Sequence, residues 1–144
     1  MTQQRRDNHS TEFGVWLRKQ REIDSGDGYT TTNVDYVWRD YKRDLWMLIE
    51  EKRYGYMPKP TQISIFKLLD SGAKNIANYR GFHLLVFIET NPDDGKIVLD
   101  GNEITRQELL TFLQFNSNGD SYKSHFPPQN IVRIAGSYKN YMEK

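Results

Sequence analysis

Asp35, Glu50 and Lys52 are the residues of this 144-residue chain whose types and spacing can do chemistry together. Side chains alternate faces along a strand, so Glu50 and Lys52 project the same way, roughly 7 Å apart, while Glu51 projects the other way. Glu50 lies fifteen residues after Asp35, a separation that a hairpin closes by bringing the two carboxylates side by side. Such a pair repels unless a proton or cation sits between them, and an all-oxygen ligand set suits a hard ion such as Mg2+ or Mn2+. An ammonium group beside that ion can hold a phosphate oxygen or position a water. Together these parts suit phosphodiester hydrolysis, the ion lowering the pKa of water and Lys52 offsetting developing negative charge.

The elements that must position these residues are legible around them. Val34, Tyr36 and Trp38 alternate with Asp35, Val37 and Arg39 as a first strand, and Leu45 to Ile49 form a second. Asp40, Lys42, Arg43 and Asp44 make a charged connection of hairpin length. Thr30, Thr31 and Thr32, with Tyr29, extend the first strand backwards by β-propensity, and Trp38 and Trp46 are expected to form a core pair. Upstream, a helix is capped by Ser10 or Thr11, carries Phe13, Trp16, Leu17 and Gln20 at spacings of three and four, and is ended by Gly26 and Gly28.

Downstream, Tyr54, Gly55 and Tyr56 form a loop closed by Pro58 and Pro60, and Thr61 to about Asp70 reads as a helix facing Ile63, Phe66 and Leu69 inward. Ser71 to Arg80 reads as a loop or short helix end, and Phe82 to Ile88 as a strand buried on both faces, with His83 a strand-end imidazole satisfied by hydrogen bonds. Asn91 to Gly95 is a turn, Lys96 to Leu99 a short strand, and Asp100-Gly101 a hairpin turn. Thr105 to Glu108 is a capping box opening a helix with Leu109, Leu110, Phe112 and Leu113. Residues 116–129 read as loop, and Ile131 to Tyr141 as a terminal strand or helix.

Asp35, then Glu50-Glu51-Lys52 at the end of an apolar strand, resembles the PD-(D/E)XK nuclease superfamily, with Val34 where members of the family can carry proline. The likeness covers the motif tightly and residues 11–115 by order of elements. It implies an α/β, restriction-endonuclease-like sandwich, a mixed central β-sheet flanked by helices. Asp35 and Glu50 would bind one or two Mg2+ (or Mn2+) ions, the backbone carbonyl of Glu51 would add a ligand, and Lys52 would assist the attacking water. Glu12 on the first helix is the further acid the resemblance offers the metal, although a first-turn carboxylate is also what the helix dipole favours. Gln62 with Phe66 four residues later is similar to a glutamine-aromatic pair of exonuclease-like branches, tyrosine being replaced by phenylalanine; Gln62 would then orient the acids or a phosphate. Arg18 and Lys19 are candidates for lining a nucleic-acid groove, and Tyr54 and Tyr56 for a loop over the substrate strand. The implied activity is Mg2+-dependent DNA cleavage of phage, mobile-element or DNA-repair type, with DNA as partner and room for a homodimer.

Composition bounds these expectations. The length suits residues 11–144 as one nuclease-like domain behind a frayed terminus at 1–10. Twenty basic and nineteen acidic residues leave a net charge of +1, so attraction to nucleic acid must come from local patches. The absence of cysteine excludes disulfides, thiolate zinc sites and cysteine nucleophiles. The start lacks the apolar core of a signal peptide and no run reaches membrane-span length, so a soluble, cytoplasmic protein is expected. The near-neutral charge also accommodates a catalytically inactive nuclease-like domain that binds nucleic acid or a protein partner without cutting.

Overall fold

The computed structural model describes residues 11–124, in two units divided between Thr32 and Asn33. Expectations for residues 1–10, and for residues 125–144 with the terminal strand or helix over 131–141, lie outside the described residues.

In the first unit, helix α1 spans Glu12–Lys19. Thr11 caps it, the hydroxyl accepting from Gly14 N at 3.0 Å. Glu12 in the first turn and Arg18 and Lys19 in the last place each charge where the helix dipole favours it. The helix stops at Lys19 instead of running to Gly26. Two 3-10 turns follow, at Arg21–Ile23 and Ser25–Asp27, the second ended by Gly28 at φ +102°. Asp24 caps that second turn by accepting from Gly26 N, a local bond that competes with helix continuation.

The second unit holds strands β1 (Tyr36–Asp40) and β2 (Leu45–Lys52), helix α2 (Pro60–Ala73), strands β3 (Tyr79–Phe87), β4 (Ile97–Leu99) and β5 (Asn102–Ile104), and helix α3 (Arg106–Leu113). The five strands form one sheet in chain order, antiparallel throughout except for β2 and β3, which run parallel. That parallel pair needs a crossover, and α2 supplies it. Phe66 of α2 packs with Leu48 and Phe82 on one face of the sheet; Leu109 and Phe112 of α3 pack with Met47, Ile49, Leu85 and Phe87 on the other. The result is a mixed sheet with helices on both faces, an α/β arrangement.

Several expectations change here. The Thr30–Thr32 run does not extend β1, which begins at Tyr36. Trp38 and Trp46 are not a core pair. Every pair in the β1–β2 register joins an even-numbered residue to an odd-numbered one, so Trp38 sits opposite Met47 and Trp46 opposite Arg39, on opposite faces. Trp38 donates its Nε1 proton to Leu113 O at 2.7 Å, while Trp46 packs against Tyr79 with ring centroids 4.8 Å apart.

On α2 the inward row is Ile63, Phe66, Asp70 and Ala73, and Leu69 is exposed. Asp70 tolerates burial because the hydroxyls of Tyr79 and Ser124 both donate to it at 2.5 Å and Lys74 Nζ lies 3.4 Å away. The carboxylate in turn raises the Tyr79 hydroxyl pKa, after burial itself as the larger cause.

The 71–80 stretch opens with the end of α2, which runs to Ala73, and its last two residues belong to β3, which starts at Tyr79. One extra β3 residue is accommodated between the Trp46–Tyr79 and Leu48–Phe82 pairs, where Gly81 takes φ +91°. A Cβ there would stand 2.5 Å from Tyr122 O. His83 is fully buried inside β3, not at its end; Nδ1 lies 2.6 Å from Asp100 Oδ2 and Nε2 lies 2.6 Å from Arg80 O. Asp100 and Gly101 both take positive φ, giving the two-residue turn that joins β4 to β5.

Thr105 caps α3 reciprocally. Its Oγ1 accepts from Glu108 N at 3.1 Å, and Glu108 Oε1 accepts from Thr105 N at 2.8 Å. Thr105→Ala is expected to cost about 1 kcal/mol, seen as a lower urea midpoint at unchanged m-value. An unmoved midpoint would remove the cap from the account of stability. Among the described residues, no helix is long and apolar enough to cross a membrane.

Candidate functional site

The site forms where β2 ends. Tyr36 pairs with Ile49, and one further step along the hairpin sets Asp35 opposite Glu50 on the face that α2 covers. Asp35 itself precedes β1 and is exposed; its Oδ2 accepts from Glu51 N at 2.8 Å, which fixes the carboxyl at the strand end. Glu50 is buried, only 3% exposed. Lys52, two residues on and therefore on the same face, places Nζ 3.4 Å from Glu50 Oε2.

Gln62 stands in the first turn of α2 behind the ammonium. Its Oε1 accepts from Lys52 Nζ at 3.4 Å and from Lys59 N at 3.0 Å. One amide thus satisfies a helix-start N–H and orients the lysine. The α2 crossover puts it there, since it carries the chain directly from the end of β2 to the helix start that begins with Pro60.

The electrostatics are unusual for a surface cluster. Burial, as the largest cause, and then the neighbouring Asp35 charge push the Glu50 carboxyl up to about 7, while Lys52 pulls it the other way. Glu50 Oε1 is buried with no hydrogen-bond partner among the described residues. A carboxylate so placed costs stability unless a proton or cation meets that oxygen.

No family model, curated protein or solved structure matches the chain.

The donors fit a hard divalent ion. Both side chains offer oxygen, their mutual repulsion would be relieved by positive charge, and Glu50 Oε1 lacks a donor. Among the described residues there is no group of three or more His, Cys, Asp or Glu side chains gathered for a metal. Two carboxylates are a set that Mg2+ accepts, because it commonly keeps several waters and binds through one or two carboxylates.

Glu51, whose backbone carbonyl was the further candidate ligand, turns its side chain to the opposite face, where Tyr36 Oη donates to Oε1 at 3.2 Å and Arg53 Nε lies 3.9 Å from Oε2. The phenol pKa of Tyr36 is raised, chiefly by the Glu51 charge. Sequence reasoning missed this brace, although a hairpin register counted from Asp35 and Glu50 makes Tyr36 and Glu51 diagonal neighbours. Phe66 is fully buried against Phe82, with ring centroids 4.9 Å apart, and acts in the core. Tyr54 and Tyr56 stand exposed on the turn after Lys52. Glu12, Arg18 and Lys19 lie on α1 in the first unit and are exposed.

Proposed function

We propose that this chain is a divalent-metal-dependent nuclease that hydrolyses phosphodiester bonds in DNA, with a restriction-endonuclease-like fold. The observation that carries the reading is Glu50: a buried acid with one orphaned oxygen, set opposite Asp35 and contacted by Lys52. A structural salt bridge would not need the second carboxylate, and a solvated acid would not be buried.

Asp35 and Glu50 would hold Mg2+ or Mn2+, with the Glu51 carbonyl as a further donor. The ion, when bound, supplies Lewis acidity toward the phosphodiester and toward water. The chain supplies the remainder. Lys52 brings a positive charge to the phosphoryl oxygens as negative charge develops, and can orient the attacking water by hydrogen bond. Gln62 keeps the ammonium from swinging away, because its oxygen accepts from Nζ while its own position is fixed by Lys59 N. The low-dielectric packing around buried Glu50 strengthens its attraction to Lys52.

The second reading is a non-cutting, nuclease-like domain that binds nucleic acid or a protein partner. The net charge of +1 accommodates it, since binding a protein partner needs no global positive field.

Isothermal titration with Mn2+ and cleavage of labelled DNA with Mg2+ separate the readings. Wild-type protein is expected to bind Mn2+, to gain roughly 2.7 kcal/mol of stability at a free ion concentration of 100 Kd, and to cut DNA unless chelator is present. Asp35→Asn should lose both the heat of binding and the cleavage. Binding without cleavage favours the second reading, and no binding at all removes the metal site.

A further inference from the structure

The turn after Lys52 is fastened more firmly than a connecting loop requires, and what it presents is aromatic. Tyr54 N donates to Glu89 O at 2.9 Å, Gly55 N to Phe87 O at 3.0 Å and Tyr56 N to Arg53 O at 3.1 Å. Gly55 and Pro58 are buried beneath it. Tyr54 takes φ +58° and Gly55 φ +72°. The second is ordinary for glycine; the first is a left-handed conformation that a bulky aromatic residue adopts at a cost and that asparagine or glycine would adopt more readily.

Packing does not repay that strain. The Tyr54 side chain is 49% exposed and Tyr56 58% exposed. Among the described residues, neither ring makes an aromatic contact, whereas the buried pairs Phe66–Phe82 and Phe112–Tyr122 do. Strained backbone held by its surroundings gathers at functional positions. Here it holds a phenol ring outward two residues beyond the ammonium at the candidate site.

We propose that Tyr54 and Tyr56 form a stacking platform for unpaired bases, so that the site acts on single-stranded DNA. This rests on the phosphodiesterase reading and names its substrate class. An exposed ring on a rigid turn can stack on the face of any unpaired base, but the faces of paired bases are already occupied by their neighbours. Charge points the same way. Duplex binding without base contacts depends on many phosphate contacts, and a chain of net charge +1 is poorly provided for that. A single strand gripped by stacking needs fewer.

The test measures binding and cutting separately. Fluorescence anisotropy with labelled oligothymidine and with a blunt duplex of mixed sequence, in chelator, gives affinity. Gel assays on the same two substrates with Mg2+ give rate. Wild type is expected to bind and cut the single strand at least about tenfold better. Tyr54→Leu should lose about tenfold in single-strand affinity, Tyr54→Phe should keep it, and Tyr54→Asn should weaken binding while raising the melting temperature by relieving the strain. That opposite movement is one a merely structural tyrosine would not give. Equal affinity for duplex and single strand, or unchanged affinity in Tyr54→Leu, overturns the platform whether or not DNA is cut. Single-strand binding that depends on Tyr54, with no cleavage of either substrate by wild type, upholds the platform and overturns the phosphodiesterase reading.

Discussion

On the nuclease reading proposed above, Lys52→Ala is expected to slow Mg2+-dependent DNA cleavage about 10²–10³-fold, the usual cost of removing one donor aimed at developing charge. The side chain touches two groups, Glu50 Oε2 and Gln62 Oε1, each at 3.4 Å, and without it Gln62 Oε1 still accepts from Lys59 N. At pH 6 Glu50, pushed up to about 7, is mostly protonated, so losing its lysine leaves no buried anion. The melting temperature at that pH should therefore stay close to wild type. Metal affinity should hold or tighten, because a positive charge has left the neighbourhood of the ion. Single-turnover cleavage and Mn2+ titration on the same preparation check both halves. A rate equal to wild type would take Lys52 out of the chemistry, and parallel losses of rate and metal affinity would reduce it to a scaffold for the acids.

The second large effect belongs to Glu50→Gln, and its sign depends on pH. The folded chain holds the Glu50 proton up to about 7, against an ordinary value of 4.5. Between those values the folded state binds more protons than the unfolded one, so stability falls as pH rises through the window. Below it Glu50 contributes nothing of this kind, and above it the penalty is complete. A shift of that size corresponds to about 3 kcal/mol, an order of magnitude for a side chain only 4% exposed. In metal-free buffer the glutamine variant, neutral at every pH, should be more stable than wild type at pH 8 by up to that amount and nearly equal at pH 4. Urea denaturation across the range in chelator reads it directly. Mg2+ should stabilise wild type and leave the variant unmoved, and DNA cleavage by the variant should vanish. A stability difference that does not change with pH would mean that Glu50 titrates as an ordinary exposed acid.

Much of this was legible in the sequence, and the rest failed for identifiable reasons. Caps were readable because their signals are local: Thr11 and the Thr105–Glu108 box need only neighbours in the chain. The juxtaposition of Asp35 with Glu50 followed from strand alternation once a hairpin was assumed. The expected Trp38–Trp46 pairing was incompatible with that same register, which sets Trp38 opposite Met47 and Trp46 opposite Arg39. Leu69 and Asp70 exchanged places for a related reason. The inward row of α2 passes through Asp70, and burial there depends on hydroxyls from Tyr79 and Ser124, distant in sequence. His83 was read correctly as a satisfied imidazole, but its partner Asp100 sits in a turn seventeen residues away and no local pattern connects them.

The shared amide of Gln62 has a further consequence. One oxygen joins the opening turn of α2 to the ammonium beside Glu50, so fraying of that single turn would leave Lys52 held by Glu50 alone while the sheet beneath stayed intact. How long the Lys52–Gln62 contact lasts on warming is then governed by a few residues around Pro60, and not by the large aromatic interior.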